Sequence, residues 1–172
     1  MEARPAEAVR FSLPRAQWSL EFGPQALAKL DRHAQRRWYQ RESVGQLFSS
    51  DLTREVIQID LATSLKPKRS SSSSVTFDIE EALRQREREL RAGRYCIGMW
   101  HTHPESAPRP SGTDAQLAAD HAKAARPVLN GLVFVVVGDR AFPGSWYVSV
   151  HDGVGFRQAL CAHAPREQIH LR

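Results

Sequence analysis

Apolar residues recur along the chain at two spacings, which predict helices in some segments and strands in others. A spacing of three to four residues predicts helices over Ala26–Tyr39, Asp78–Arg91 and Thr113–Ala125. Short apolar or alternating runs predict strands over Ser43–Phe48, Val56–Leu61, Tyr95–Trp100, Leu129–Val137 and Trp146–Val150. Because the predicted helices and strands alternate along the chain, we expect an α/β fold in which helices sandwich a central mixed β-sheet.

The segments that flank or interrupt these elements show little apolar periodicity. Residues 1–22 are expected to form an N-terminal lead-in and residues 153–172 a C-terminal tail, so that residues 23–152 make one domain. Lys66–Ser74 reads Lys-Pro-Lys-Arg followed by five serines, which is too polar to pack, and we expect a mobile surface loop there. The second predicted helix alternates acidic and basic residues at i,i+4 spacing, including Glu80/Arg84 and Glu87/Arg91, which is typical of a solvated face.

Composition narrows the classes of protein that the chain can represent. The net charge is +5, but basic residues are scattered among acidic ones, which argues against nucleic-acid binding and favours at most an acidic protein partner. The two cysteines, Cys96 and Cys161, form no CxxC pair, so a reducing compartment is the simpler expectation. No apolar run approaches the roughly 18 residues that cross a bilayer, and Met1–Phe22 lacks a signal-peptide core. We therefore expect a soluble, cytoplasmic protein without a membrane partner.

Residues that can bind a metal concentrate after the predicted strand that ends at Trp100. His101 and His103 are two residues apart and project to the same side, which makes them a natural half of a zinc site. A proline-bearing segment follows, and Ser111 and Asp114 fall where the next helix begins. Asp114 can supply a third ligand. Three protein ligands leave a fourth position for water, which distinguishes a hydrolytic zinc site from a structural one.

The spacing of these residues, H-x-H-x7-S-x2-D, resembles the signature of the JAMM zinc metallopeptidases, whose domain is called MPN or JAB. Chance would place this pattern in about one shuffled chain per thousand. The resemblance covers Gln25–Val150 and implies an MPN fold, which is cytidine-deaminase-like, for residues 23–152. It also implies one catalytic Zn²⁺ held by His101, His103 and Asp114.

The family further needs a glutamate just before its first strand, and Glu42 occupies the matching position ahead of a glycine-bearing strand. Glu105 is nearer to the histidines in sequence but shares a tight loop with them, and Glu21 and Glu55 fall at the wrong points of the predicted elements. The resemblance implies that Glu42 takes a proton from the attacking water and delivers it to the departing amine. It also implies that Ser111 donates a hydrogen bond to the tetrahedral oxyanion.

A simpler interpretation of the same residues stays open at this point. Histidines at a strand end can be ordinary surface groups, Asp114 a helix-start carboxylate, and Ser111 an N-cap. The other histidines lack a comparable context. His121, for example, lies about two helical turns beyond Asp114, which is too far for it to be a ligand of the same ion.

The overall length and the Trp-His-Thr-His-Pro core look most like stand-alone bacterial members that accompany ubiquitin-like conjugation enzymes in antiphage operons of the CBASS or Bil type. This resemblance implies a deubiquitinase-like isopeptidase, which cleaves a ubiquitin-like modifier from its conjugates or trims its C-terminal tail. Its expected partners are a ubiquitin-like protein or conjugate with an extended C-terminal tail, and E1-like and E2-like enzymes. The alternatives are the same chemistry on a sulfur-carrier protein tail, and a metal-free MPN interaction scaffold.

Overall fold

A computed structural model describes residues 7–37, 39–70 and 75–162 of the chain. The helices in these ranges are α1 (Pro24–His33), α2 (Ile79–Arg91) and α3 (Gly112–Ala125). The strands are β1 (Val9–Ser12), β2 (Ser19–Phe22), β3 (Val44–Ser49), β4 (Val56–Ile59), β5 (Leu61–Ala62), β6 (Pro67–Ser70), β7 (Val75–Phe77), β8 (Tyr95–Thr102), β9 (Leu132–Val137), β10 (Trp146–His151), β11 (Phe156–Gln158) and β12 (Leu160–Cys161).

A mixed six-stranded sheet forms the centre of the fold, with strand order β11-β10-β9-β8-β3-β5. β8 lies in the middle of this sheet, antiparallel to β3 and parallel to β9. Every residue of β3, β9 and β10 is buried, because other elements cover both faces of the sheet. The predicted α/β class with a central mixed sheet is therefore confirmed.

Different layers cover the two faces of the central sheet. On one face, Ala82 of α2 and Ala118 of α3 pack into a cluster with Met99 and Phe134. On the other face, α1 and a second sheet of order β12-β1-β2-β4 enclose a larger cluster that includes Trp100. The expectation of helices on both faces is thus incomplete, because strands as well as α1 cover one face.

The second sheet is built largely from segments that flank the predicted domain. β1 and β2 lie within residues 1–22, and β12 lies within residues 153–172. β1 pairs with β2 on one side and with β12 on the other. Leu20 and Phe22 of β2 are buried in the core. Alternation over four residues is too short to stand out in the sequence, which is why these strands were not expected. The predicted boundaries at residues 22 and 152 stay predictions.

Two predicted segments form strands in the structure that differ from those expected. The stretch expected as one strand, Val56–Leu61, divides into β4, which pairs with β2, and β5, which pairs antiparallel with β3. The segment expected as a loop, Lys66–Ser74, contains β6, which forms a two-stranded ribbon with β7. Backbone pairing allows β6 to form although its sequence is polar, and Phe77 of β7 packs against the cluster that includes Ala82. Residues 71–74 of that segment lie outside the described residues.

The helices follow the sequence more closely than the short strands do. α1 ends at His33 rather than near Tyr39, one residue before the last apolar position of its stripe, Ala34. On α2, the expected ion pairs form: Arg84 Nη1 lies 3.6 Å from Glu80 Oε2, and Arg91 Nη2 lies 2.7 Å from Glu87 Oε1. No helix within the described ranges is long and apolar enough to cross a bilayer.

Candidate metal centre

His101 and His103 lie where β8 ends. His101 is 5% exposed, and its ring packs 5.3 Å from the ring of Phe134 on the neighbouring strand. His103 follows the strand and is held by a hydrogen bond from its backbone N–H to the Val137 carbonyl, 2.9 Å long. The two Nε2 atoms are 2.9 Å apart, so both imidazoles turn toward one point.

Asp114 reaches the same point from the first turn of α3. Because α3 connects β8 to the parallel strand β9, its N-terminus must begin near the end of β8 that carries the histidines. Ser111 caps the helix: its Oγ accepts from the Asp114 N–H at 3.2 Å, and its own N–H donates to Asp114 Oδ2 at 2.6 Å. The carboxylate oxygens Oδ1 and Oδ2 lie 3.4 Å from His101 Nε2 and 3.6 Å from His103 Nε2.

These three side chains, called the metal centre below, fit a zinc ion. Their donor atoms all lie within 4.8 Å of one another, and theirs is the one such group of potential ligands among the described residues. Tetrahedral zinc with bonds of about 2.0–2.1 Å needs ligand atoms about 3.3 Å apart. The two imidazole nitrogens are 2.9 Å apart, and each lies 3.4 or 3.6 Å from a different oxygen of the carboxylate, which is close to this spacing. Two imidazoles and a carboxylate are a donor set that zinc takes in hydrolytic sites. His121, also on α3, is not part of this group.

The protonation states of the metal centre suit a cation. Burial lowers the pKa of His103, and the neighbouring His101 lowers it further, which keeps the imidazole neutral as a metal ligand must be. Burial by itself raises the pKa of Asp114. Hydrogen bonds from His101 and Ser111 outweigh this effect and lower the pKa below its ordinary range, so the carboxylate is ionised.

Glu42 lies beside the metal centre, two residues before the start of β3. The pairing of Val44 with His101 fixes its position, and its Oε1 is 3.9 Å from His103 Nε2. The side chain is buried. Burial raises the pKa of Glu42 to about 7, the charge of His101 opposes this shift, and Asp114 and Glu105 add to it. A carboxyl group with a pKa near 7 can both accept and release a proton at neutral pH.

The other glutamates considered from the sequence lie elsewhere. Glu105 is exposed, and it is its backbone carbonyl that takes part in the fold, by accepting from the Asp139 N–H at 3.0 Å. Glu21 forms an ion pair with Arg10 in the second sheet, at 2.9 Å. Glu55 is exposed near the start of β4. Of the four, Glu42 is the one that combines burial with proximity to a histidine of the metal centre.

Sequence reasoning missed the residues that hold the backbone next to Glu42. Thr102 Oγ1 accepts from the Ser43 N–H at 2.9 Å, and the Thr102 N–H donates to the Ser43 carbonyl at 3.0 Å. His33 at the end of α1 bridges two serines: its Nδ1 is 3.3 Å from Ser43 Oγ and its Nε2 is 3.2 Å from Ser64 Oγ. Only the position of Thr102 between the two histidines hinted at a role. No sequence pattern links His33 to these serines.

Gly45 allows the strands around the centre to approach closely. The Trp100 indole Nε1 donates to the Thr63 carbonyl at 2.8 Å and passes over Gly45. A Cβ at this glycine would lie 1.7 Å from the Thr63 oxygen and 2.4 Å from Trp100 Nε1. Because neither neighbour can give way by that much, the contact requires glycine.

Comparisons with known proteins agree with the fold. Residues 24–149 match the family model described as prokaryotic homologs of the JAB domain. The solution structure of protein DSY2949 from Desulfitobacterium hafniense is similar, with a TM-score of 0.59 and 18% sequence identity over 81% of this chain and 87% of that chain. At that identity the likeness concerns the fold alone. No curated protein matches the chain.

Proposed function

The chain belongs to the family of prokaryotic JAB-domain homologues, and from this premise we propose that it is a zinc-dependent peptidase that cleaves after the C-terminal tail of a ubiquitin-like protein. One observation carries the proposal. Glu42, with a pKa raised to about 7, lies beside a group of two imidazoles and a carboxylate whose donor atoms are within 4.8 Å of one another. A metal ligand set and a proton-transfer group in one site are the minimum equipment of a metallopeptidase.

The metal centre would hold the ion through His101, His103 and Asp114. When bound, zinc lowers the pKa of its water toward about 7 and polarises the scissile carbonyl. Three protein ligands leave room for such a water. The capping box of α3 orients Asp114, because the Ser111 N–H fixes one of its carboxylate oxygens.

Glu42 and Ser111 have separate roles in the proposed hydrolysis. Glu42 accepts a proton from the attacking water at its carboxylate and delivers it to the nitrogen of the departing amine. The Ser111 oxygen accepts a hydrogen bond from the Asp114 backbone, so that its own O–H proton can be donated to the oxyanion. One such donor contributes about 3 kcal/mol to transition-state stabilisation.

The proposed substrate is an extended tail, joined to a lysine or to a following residue. A tail of this kind can bind by adding its main chain to a sheet edge. The strand that follows Glu42, β3, has as its outer neighbour the two-residue strand β5, at the edge of the central sheet. The likeness of the His-Thr-His-Pro segment to antiphage members of the family supports a ubiquitin-like modifier, with E1-like and E2-like enzymes as partners, in a bacterial defence operon.

The proposal is tested on the purified protein with ubiquitin-like proteins encoded beside its gene, each fused through its tail to a reporter. We expect bound zinc by elemental analysis and a single cut directly after the modifier's last residue by mass spectrometry. Glu42→Gln should retain zinc and slow cleavage by about 10²- to 10⁴-fold, because only the proton transfer is lost.

The matched control is Glu55→Gln, which removes an exposed carboxylate near the start of β4. Its cleavage rate should stay within a few-fold of that of the wild type. A protein that binds no zinc would be a metal-free scaffold, and equal rates for Glu42→Gln and the wild type would exclude the proposed mechanism. Cleavage of sulfur-carrier fusions alone would move the substrate to that class.

A further inference from the structure

A concave surface lies at the end of the central sheet opposite to the metal centre. β8 carries Cys96 near its start and His101 near its end, and five residues of strand span about 17 Å. Around the start of β8 lies a concavity of about 400 Å³. We call it the far-end groove; it is lined mainly by Leu90, Tyr95, Cys96, Ala125, Val128 and Leu129.

The far-end groove continues into a second concavity of about 270 Å³, which opens between the two sheets. Leu52, Val128 and Leu129 line both concavities and lie where the two meet. Leu90, Tyr95 and Val128 are 56%, 43% and 77% exposed. Large apolar side chains that gather around a concavity, rather than being scattered singly, mark a binding surface.

Arg86 gives the far-end groove a charge that is not compensated within the described residues. It is half-buried on α2, and its Nε donates to the side-chain carbonyl of the fully buried Gln46, which is neutral. The groove's other arginine, Arg94, pairs with Glu89 at 2.6 Å, and Glu89 also pairs with Arg88 at 3.1 Å. No described carboxylate lies within ion-pair distance of Arg86, and none lines either concavity.

We propose that the far-end groove binds an acidic, apolar segment of a partner protein. Two adjoining concavities suit an occupant with at least two apolar side chains on one backbone, and Arg86 suits a carboxylate between or beside them. The net charge of +5 favours acidic partners from a distance. A second copy of the chain fits poorly, because a two-fold contact through this groove would bring together two surfaces that each carry Arg86 and no described carboxylate.

A partner bound in the far-end groove leaves the metal centre open. The two surfaces are separated by most of the length of β8, so a tethered partner does not compete with a substrate. Binding there instead raises the effective concentration of whatever the partner carries. This inference does not depend on the proposed peptidase activity.

The experiment selects binders from a phage-displayed library of random dodecapeptides on the immobilised wild-type protein and measures the enriched peptides by fluorescence polarisation. We expect enriched sequences that combine an Asp or Glu with two or more aliphatic or aromatic residues. Leu90→Glu and Arg86→Gln should each weaken binding by about tenfold or more, as expected when a central contact is lost.

α2 supplies matched controls for both substitutions. Leu83 is 55% exposed, lies seven residues before Leu90 on the same helix, and does not line the groove, and Arg84 is an exposed arginine paired with Glu80. Leu83→Glu and Arg84→Gln should leave binding within about twofold, the usual effect of a peripheral change. The proposal is overturned if no peptide is enriched, if enriched peptides lack acidic residues, or if they bind Leu90→Glu as tightly as Leu83→Glu. It is also overturned if sedimentation shows a wild-type dimer that Leu90→Glu dissociates, since the occupant would then be a second copy.

Discussion

The N-termini of α2 and α3 are built alike, yet only one of them contributes to the metal centre. Asp78 caps α2 by accepting from the Glu80 N–H at 2.9 Å, and Ser111 caps α3 by accepting from the Asp114 N–H at 3.2 Å. The Asp78 carboxylate lies 3.8 Å from the ammonium group of Lys68, whereas the Asp114 carboxylate faces two imidazoles. A helix-start carboxylate therefore becomes a potential metal ligand only where a strand end brings other donors to it.

The largest expected difference between substitutions at the starts of α2 and α3 is in zinc affinity. Asp114→Asn removes a ligand, so we expect a loss of affinity greater than the roughly 100-fold that a lost outer-shell partner can cost. Asp78→Asn should leave zinc affinity unchanged, because it removes a charge at the start of a helix that carries no ligand. Isothermal titration of the metal-free proteins with zinc measures both. Equal affinities for Asp114→Asn and the wild type would mean that the ion binds elsewhere.

The next largest expected difference is in the rate of hydrolysis, which should depend on Ser111 and not on Asp78. Ser111→Ala removes the proposed oxyanion donor and should slow cleavage of a modifier fusion by about 10²-fold or more. Asp78→Ala removes a cap of similar kind and should leave the rate unchanged. Rates measured with zinc in excess avoid confusion with metal loss. If both variants cleave at the wild-type rate, Ser111 is a cap and nothing more.

The free energy of unfolding should respond in the same direction to substitutions at the two helix starts. Asp78→Ala and Ser111→Ala each remove an N-cap, and each should lower the free energy of unfolding of the metal-free protein, Ser111→Ala by about 1 kcal/mol. Urea unfolding monitored by circular dichroism gives both values. A change near zero for Asp78→Ala would mean that solvent satisfies the first N–H groups of α2 as well as the carboxylate does.

The smallest expected effect is on the pH dependence of the melting temperature. Burial alone would raise the pKa of Asp78, but hydrogen bonds from the Glu80 and Glu81 N–H groups lower it below its ordinary value. A lowered pKa in the folded state adds stability above the unfolded pKa of about 3.9, and this stability is lost as the pH falls through the folded value. Asp78→Asn keeps a capping oxygen that does not titrate. Its melting temperature should therefore lie slightly below that of the wild type at neutral pH and approach it in acid. A constant difference would contradict this explanation.

The potential metal ligands could be predicted from the sequence because they are local. His101 and His103 are two residues apart at the end of an apolar strand, and Asp114 lies in the first turn of the next helix. Glu42 was assigned by analogy, since its approach to His103 depends on the pairing of β3 with β8. His33 could not have been found in this way, because it reaches Ser43 only through the packing of α1.

The strands that could not be read are those whose partners lie far along the chain. β1 pairs with β12 near the other end of the chain, and β2 pairs with β4. Strands of two to four residues carry too little alternation to identify, and their burial is decided by a sheet that forms elsewhere. In Lys66–Ser74, the polar composition predicted a loop, because composition carries no information on the backbone pairing of β6 with β7.

The bond between the Ser43 N–H and Thr102 Oγ1 joins residues 59 positions apart. The site therefore depends on a contact of high sequence separation, and such contacts carry the largest cost of loop closure during folding. His101 and His103 are neighbours in the unfolded chain as well, but Glu42 joins them only after β3 and β8 have paired. In a refolding experiment, capture of the metal by the histidines and the appearance of hydrolytic activity should thus be two separate events in time.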